Sequence, residues 1–269
     1  MNKTEEFYKN ILKKRVVNRE DIKDISKKVL NKKGDGYYYR KYLHKLMNER
    51  KVGKIRQGIY YGIPLDQIGD DFQADRYIIG HKIEKGHALG YHTALELHGS
   101  AYSAYTRVFI LVKKGNRFRE FEFQGVKYVS VVNKHDIGHI TTLKYKDTQL
   151  DVTDRARTFV DCLSREDLSG GWEECLKSLA NLKGISVPDI SDVLSSYNNK
   201  TLELKCGYVL ELLSKHSPFY EHISKDELHS LRPRDDWKPV YIDRDVPSKL
   251  EKEWGLYVPE KFEGLLRGI

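Results

Sequence analysis

The pair Pro188-Asp189, followed by Glu203-Leu204-Lys205, is the sharpest catalytic pattern in the chain. Written as PD…ExK, it is the core of a Mg-dependent nuclease of the PD-(D/E)xK type. In that core the carboxylates hold the metal and the lysine supports the attacking water. The chemistry requires Glu203 and Lys205 on one face of a strand, with Asp189 on the neighbouring strand. The surrounding residues point elsewhere. Pro188 suits the first turn of a helix. Leu202, Cys206, Val209 and Leu213 fall at helical spacing, and on a helix Glu203 and Lys205 point about 200° apart. A helix over 202–215 is expected, and the nuclease stays an alternative reading.

His81, His87, His92 and His98 are separated by six, five and six residues. That spacing matches neither an i, i+4 helical ligand pair nor a zinc finger, so solvent-facing or hydrogen-bonded histidines are expected. Cys162, Cys175 and Cys206 form no C-x-x-C pair and read as buried, reduced thiols. G-x-S-x-G, G-x-G-x-x-G and Walker A loops are absent from the sequence. No metal, no cofactor and no enzymatic activity are expected. Arg157 and Asp161 lie at i, i+4 on a helix started by Thr153 or Asp154, where they can form a structural ion pair.

A different chemistry is offered by residues 36–64, "GYYYRKYLHKLMNERKVGKIRQGIYYGIP", where aromatic and cationic side chains are interleaved. The chain carries 47 Lys+Arg and 39 Asp+Glu, a net charge of +8. Residues 1–64 hold 18 basic against 7 acidic side chains, and the other 205 hold 29 against 32. The whole excess therefore sits in the first quarter, which implies a polyanionic partner for that quarter.

The elements that must position these residues follow from periodicity. Phe7, Ile11 and Leu12 share one helical face in 4–14. Asn18 caps a second helix with Glu20 and Asp21 in its first turn and Ile22, Ile25, Val29 and Leu30 on its apolar face. A third helix is expected from about Tyr37 to Glu49, with Tyr39, Leu43, Leu46 and Met47 inward. Tyr37, Arg40, Lys41, His44, Lys45 and Asn48 then share the outer face. Lys54–Arg56 and Ile59–Tyr61 read as a hairpin turning at Gln57-Gly58. Three helices and a hairpin are the order of a winged helix-turn-helix, whose third helix enters the major groove. Arg40 can be bidentate to guanine, Lys41 and Lys45 suit phosphates, and Lys54, Arg56 and Gln57 would be wing contacts.

Beyond this, a helix is expected near 72–84 and a short one within 87–101. Strands follow over 105–114, 118–125 and 126–134, with two more around Lys146-Asp147. Helices return over 154–165, 171–183, 187–197 and 202–215. The fold class is α+β: an N-terminal winged helix-turn-helix (1–64), a mixed α/β domain with an antiparallel-rich sheet and flanking helices (65–215), and an extended C-terminal tail (216–269). Five of the seven prolines lie after residue 217, and Trp237, Tyr241, Trp254 and Tyr257 are expected to anchor the tail.

"VGKIRQGIYYG" (52–62), "HALGYHTALELHG" (87–99), "VTDRARTFVDCL" (152–163) and "GYVLELL" (207–213) occur in this order. Together they resemble the AbiEi antitoxins of type IV (AbiE-type) toxin–antitoxin systems. The resemblance spans roughly residues 37–215. It implies a winged helix that binds inverted repeats in its own promoter and represses the operon. It also implies a second domain that counters a cognate nucleotidyltransferase toxin, without catalysis of its own. Gly58 and Tyr60 match the family's hairpin, and Thr93, Ala94, Leu95, His98, Gly99, Arg157, Thr158 and Asp161 match fold residues of its second domain. The N-terminal helices are longer and more basic than the family pattern, and the tail after about 216 has no counterpart in it.

The expected function is thus a DNA-binding transcriptional regulator and antitoxin, with double-stranded DNA and a nucleotidyltransferase toxin as partners. A homodimer would match a palindromic operator. With no apolar run of about 18 residues and no signal-like N-terminus, a cytoplasmic protein without a membrane partner is expected. A protein-interaction module without a DNA role is the other alternative.

Overall fold

Helix starts in this chain are set by side chains that accept the first free amide hydrogens. Asn2 accepts from the amide of Thr4 at 3.1 Å, Asn18 from the amides of Glu20 and Asp21 at 3.1 and 3.0 Å, and Asp154 from that of Arg157 at 2.8 Å. The computed structural model describes residues 2–30, 36–69, 71–83, 87–133, 138–232 and 238–267, the side chains of 30 and 36–39 excepted. In chain order the first elements are α1 (Lys3–Lys14), β1 (Val16–Val17), α2 (Arg19–Leu30), α3 (Gly36–Asn48), β2 (Val52–Arg56), β3 (Ile59–Gly62) and α4 (Arg76–Ile83). Then come β4 (Ala88–Leu89), α5 (His92–Leu97), β5 (Arg107–Val112), β6 (Phe121–Phe123), β7 (Val126–Val132), β8 (Ile140–Tyr145) and β9 (Thr148–Thr153). The last are α6 (Arg155–Ser164), α7 (Trp172–Ala180), α8 (Val187–Tyr197), α9 (Lys200–His216), α10 (Lys225–Ser230), β10 (Val240–Tyr241), β11 (Ser248–Glu251) and β12 (Leu256–Pro259). The fold is mixed α+β. Among the described residues no helix is long and apolar enough to cross a membrane.

The chain divides into two compact units. The first comprises Met1–Ala88, Thr106–Ser130 and Thr142–Asp151. Phe7, Ile11, Ile22, Ile25, Leu43 and Leu46, from α1, α2 and α3, form its helical core with Val52 of β2. β1 pairs antiparallel with β3, Val16 opposite Tyr61 and Val17 opposite Tyr60, and β2 pairs with β3, giving the order β1-β3-β2. All six strands of a second sheet contribute to this unit, in the order β6-β7-β5-β4-β9-β8. Val108 to Val112 of β5 are buried without alternation, the mark of a strand covered on both faces.

The second unit comprises Leu89–Tyr105, Val131–Thr141 and Val152–Ile269. Its core gathers Phe159 and Leu163 of α6, Cys175 and Leu179 of α7, Val193 of α8 and Leu210 and Leu213 of α9. Leu89 pairs with Val152 in parallel, so the sheet is not wholly antiparallel.

The C-terminal segment departs from the extended tail expected of it. It contains α10 and a sheet of order β10-β12-β11, in which β12 runs parallel to β10 and antiparallel to β11. Of the expected anchors, Trp254 is fully buried and donates from Nε1 to Glu211 Oε2 at 2.6 Å. Tyr241 is exposed and stacks on Tyr257 at 4.4 Å, while Trp237 lies outside the described residues. Burying an indole of this size contributes on the order of 4–6 kcal/mol before the entropic cost. With Tyr220 and Phe262, which are also almost fully buried, it explains why a proline-rich segment orders on short strands rather than a long periodic element.

Candidate nucleic-acid interface

α3 has two faces. Leu43 and Leu46 are buried, Met47 packs against the core, and Tyr42 stacks on Phe7 at 6.1 Å. Arg40, Lys41, His44, Lys45 and Asn48 are all exposed and repeat at helical spacing, so they form one polar stripe. The side chains of Tyr37, Tyr38 and Tyr39 lie outside the described residues. Lys45 lies 4.0 Å and Lys51 2.9 Å from carboxylate oxygens of Glu49.

The hairpin is anchored on one side by aromatic side chains. The Tyr61 ring crosses Gly53, where a Cβ would clash with its phenol end, stacks on Phe72 at 5.9 Å and meets Phe123 edge-on at 5.7 Å. Burial pushes the Tyr61 phenol up. The Arg56 guanidinium sits over Phe121 at 4.8 Å and Phe118 at 5.8 Å. Its Nη1 is buried without a hydrogen-bond partner among the described residues. Arg56 is therefore engaged with β6, while Lys54 and Gln57 are exposed. The turn uses Gly58 at φ +86°, and a Cβ there would lie 2.7 Å from Arg19 Nε. Since β1 is paired with Tyr60 and Tyr61 and α2 starts two residues later, the hairpin tip ends level with the start of α2.

Two clefts in this unit were invisible in the sequence. One, of about 450 Å³, is lined by Arg19, Arg56, Gln57, Lys82 and Phe118 among others. The second, of about 430 Å³, is lined by Lys13, Lys14, Arg15, Lys28, Lys82 and Asp147 among others. Beside them Asp21 accepts from Lys14 at 2.8 Å and pairs with Lys82 at 3.0 Å. Burial alone would raise its pKa, but the two lysines and the Asn18 amide hold it below the usual carboxylate range. Arg19 and Lys82 carry no sequence signal as site residues, because what unites them is the fold-back of the hairpin.

Several polar residues of the second unit that the sequence singles out are turned inward. His92 is fully buried, hydrogen-bonded through Nε2 to Glu174 Oε1 at 3.0 Å and stacked on Tyr105 at 3.9 Å. His98 Nε2 meets the Thr153 carbonyl at 2.8 Å. Arg157 and Asp161 form the expected i, i+4 pair at 3.3 Å, both nearly inaccessible, with Arg157 Nη1 donating to the Gly138 carbonyl at 2.6 Å and the Tyr197 hydroxyl to Asp161. In the first unit, the rings of His81 and His87 lie 5.4 Å apart. No group of three or more His, Cys, Asp or Glu among the described residues is placed to hold a metal ion.

The PD…ExK residues are not brought together as a nuclease core. Asp189 lies in the first turn of α8, capped by Ser186, and Glu203 and Lys205 both lie on α9. The Lys205 ammonium sits over the Trp172 ring at 5.3 Å, and burial pulls its pKa down.

No family model matches the chain, and no curated protein matches it. Among solved structures it is similar to the crystal structure of the RV2827C protein from Mycobacterium tuberculosis, with a TM-score of 0.66 and 17% sequence identity. The likeness covers 99% of this chain and 94% of that one, and at this identity it speaks for the fold alone.

Proposed function

We propose that the protein is a DNA-binding transcriptional regulator of the AbiEi antitoxin type, with α1 to α3 and the β2–β3 hairpin acting as a winged helix-turn-helix. The observation that carries the reading is the exposed stripe Arg40, Lys41, His44, Lys45 and Asn48 on α3, opposite a face closed by Leu43 and Leu46. A helix with one face in the core and an unbroken polar, cationic face outside is the geometry a major groove accepts. The order α1-β1-α2-α3-β2-β3, with β1 closing the hairpin into a three-stranded sheet, supports it. So does the concentration of positive charge in residues 1–64. In this reading α3 reads bases, Lys54 and Gln57 hold backbone, and Arg56 positions the hairpin through Phe118 and Phe121 instead of touching DNA. The placement of Asp189, Glu203 and Lys205 on two helices gives the nuclease alternative no support.

A titration of the protein with a duplex of its own upstream region and a scrambled duplex, at about 150 mM salt, tests this. Arg40→Ala should cost about 1–3 kcal/mol of discrimination between the two. Lys54→Ala should weaken both equally. Unchanged affinity in both variants, or no preference in the unmodified protein, rejects it. The antitoxin half of the proposal, a second unit that counters a nucleotidyltransferase toxin, is tested by co-expression: growth must be rescued from that toxin by this chain.

A further inference from the structure

Most of the described positive charge in the first quarter of the chain does not lie on α3 or the hairpin. Nine of the cations within residues 1–64 precede Leu30, against seven from Arg40 to Arg56. The structure gathers several of the nine beside the two clefts of the first unit. Lys82, at the end of α4, lines both clefts and joins them. Arg19 lines the cleft beside the hairpin tip, Lys82 lines both, and Lys13, Lys14 and Lys28 line the other.

Their pairing is uneven. Lys14 and Lys82 share the single buried carboxylate of Asp21, which leaves an excess positive charge there. Arg15 pairs only with the highly exposed Asp147, a weak surface bridge. Lys13, Lys28 and Arg19 are exposed and form no ion pair among the described residues. The N-terminal amides of α2 are already taken by Asn18, and Asp21 accepts in return from the Asn18 amide at 3.2 Å. The helix end is therefore closed to an anion, and the side chains are what remains available.

We propose that these residues form a track for the phosphate backbone of DNA beyond the α3 footprint, with Arg19, Lys82, Lys13 and Lys28 as its contacts. The cations come from three separate helices and are spread along two open clefts rather than converging on one point. An extended chain of single negative charges fits that spread, and a small anion does not. The track begins at Gln57, which the proposed winged helix already places on the backbone, so it continues that interface. The inference rests on the DNA-binding reading.

The test uses the full chain, the duplex of its own upstream region cut to the minimal preferred site, and the same site extended by about one helical turn on each side. Binding is titrated over a range of salt concentrations. On the extended duplex, Lys13→Ala/Lys28→Ala should make the slope of log K against log salt shallower by about 1.8, two phosphate contacts at about 0.9 each. On the minimal duplex the slope should not move. Lys249→Ala, an exposed lysine of the second unit, should change neither, which separates local contact from net charge. An unchanged slope on the extended duplex, with Arg40→Ala still costing discrimination, overturns the track, leaves the regulator standing and assigns the cations to an acidic protein surface instead. Equal loss on both duplexes places the lysines inside the α3 footprint and also overturns it. No preferential binding by the unmodified protein removes both readings.

Discussion

On α3 of the first unit, Arg40, Lys41 and Lys45 stand in solvent beside a closed aliphatic face. In the second unit Arg157 and Asp161 are both about 1% exposed, and His92 and Glu174 meet in its interior. An exposed cation keeps its hydration and stays available to a partner. A buried one must find its whole coordination inside the protein. The same residue types therefore specify a surface in one unit and a packing arrangement in the other. The motifs that carry the AbiEi resemblance divide in the same way. Thr93, Ala94 and Leu95 are fully buried, and Thr158 bonds back to Thr153, so "TAL…HG" and "RT…D" describe how the second unit is built. On the proposed function, partner-facing residues belong among the cations of the first unit.

Two arginine substitutions should separate these roles most widely. Arg157→Ala strands the Asp161 carboxylate and should cost about 3–5 kcal/mol of stability in urea denaturation. Arg157→Met combined with Asp161→Leu should recover most of the loss, because no charge is left buried alone. Arg40→Ala should change stability by no more than about 0.5 kcal/mol while altering DNA discrimination. If Arg157→Ala is as mild as Arg40→Ala, the contrast between the units fails.

Two glycines of the second unit test how tightly it is packed. Gly207 on α9 lies against the Trp254 ring, and a Cβ there would clash with the edge of its six-membered ring. Gly207→Ala should cost about 1–3 kcal/mol by forcing the indole away, whereas Gly264→Ala, with no heavy atom nearer than 4.0 Å, should be near neutral. Equal melting temperatures for the two variants would show that the C-terminal segment is not tied down through Trp254.

Each unit also contains a histidine whose pKa is pushed below 6.5, in both cases chiefly by burial: His81 in the first and His98 in the second. Such a group binds a proton less readily in the folded chain than in the unfolded one. The unfolded state then binds more protons below pH 6.5, so stability falls as pH drops through that value. His98→Gln should flatten the second unit's share of that loss. A stability flat between pH 7 and 5.5 would contradict the partial burial of both rings.

Local signals located the helices well, because caps and apolar spacing act within a few residues. Asn18, Asp154 and the Pro188 start all mark real helix beginnings, and the outer stripe of α3 could be read from the spacing of Leu43 and Leu46 alone. Pairings across long separations were not legible. β1 is two residues long and exists because it pairs with residues more than forty positions away. The stacking of Arg56 on Phe118 and Phe121 depends on a segment some sixty residues later. No local pattern says that Thr106–Ser130 and Thr142–Asp151 join the N-terminal unit. The folded tail was not legible for the same reason: its strands are short and its largest anchor, Trp254, finds its acceptor on α9.

The smallest expected effect concerns two helix caps, one in each unit. Asn18 serves α2, and Ser186 accepts from the Asp189 amide at 3.3 Å to start α8. Capping is local: the side-chain oxygen satisfies an amide that its helix leaves free, whatever the unit around it does with charge. Asn18→Ala and Ser186→Ala should therefore cost similar amounts, about 0.5–2 kcal/mol each, in the same denaturation experiment that separates Arg157 from Arg40. Asn18→Ala carries one further consequence, because Asp21 loses the local geometry that holds it between Lys14 and Lys82. If its cost clearly exceeds that of Ser186→Ala, the excess measures how strongly the cap supports the lysine pair at the junction of the two clefts. If the two costs are equal, Asp21 is held by Lys14, Lys82 and the backbone amide of position 18 without help from the cap side chain.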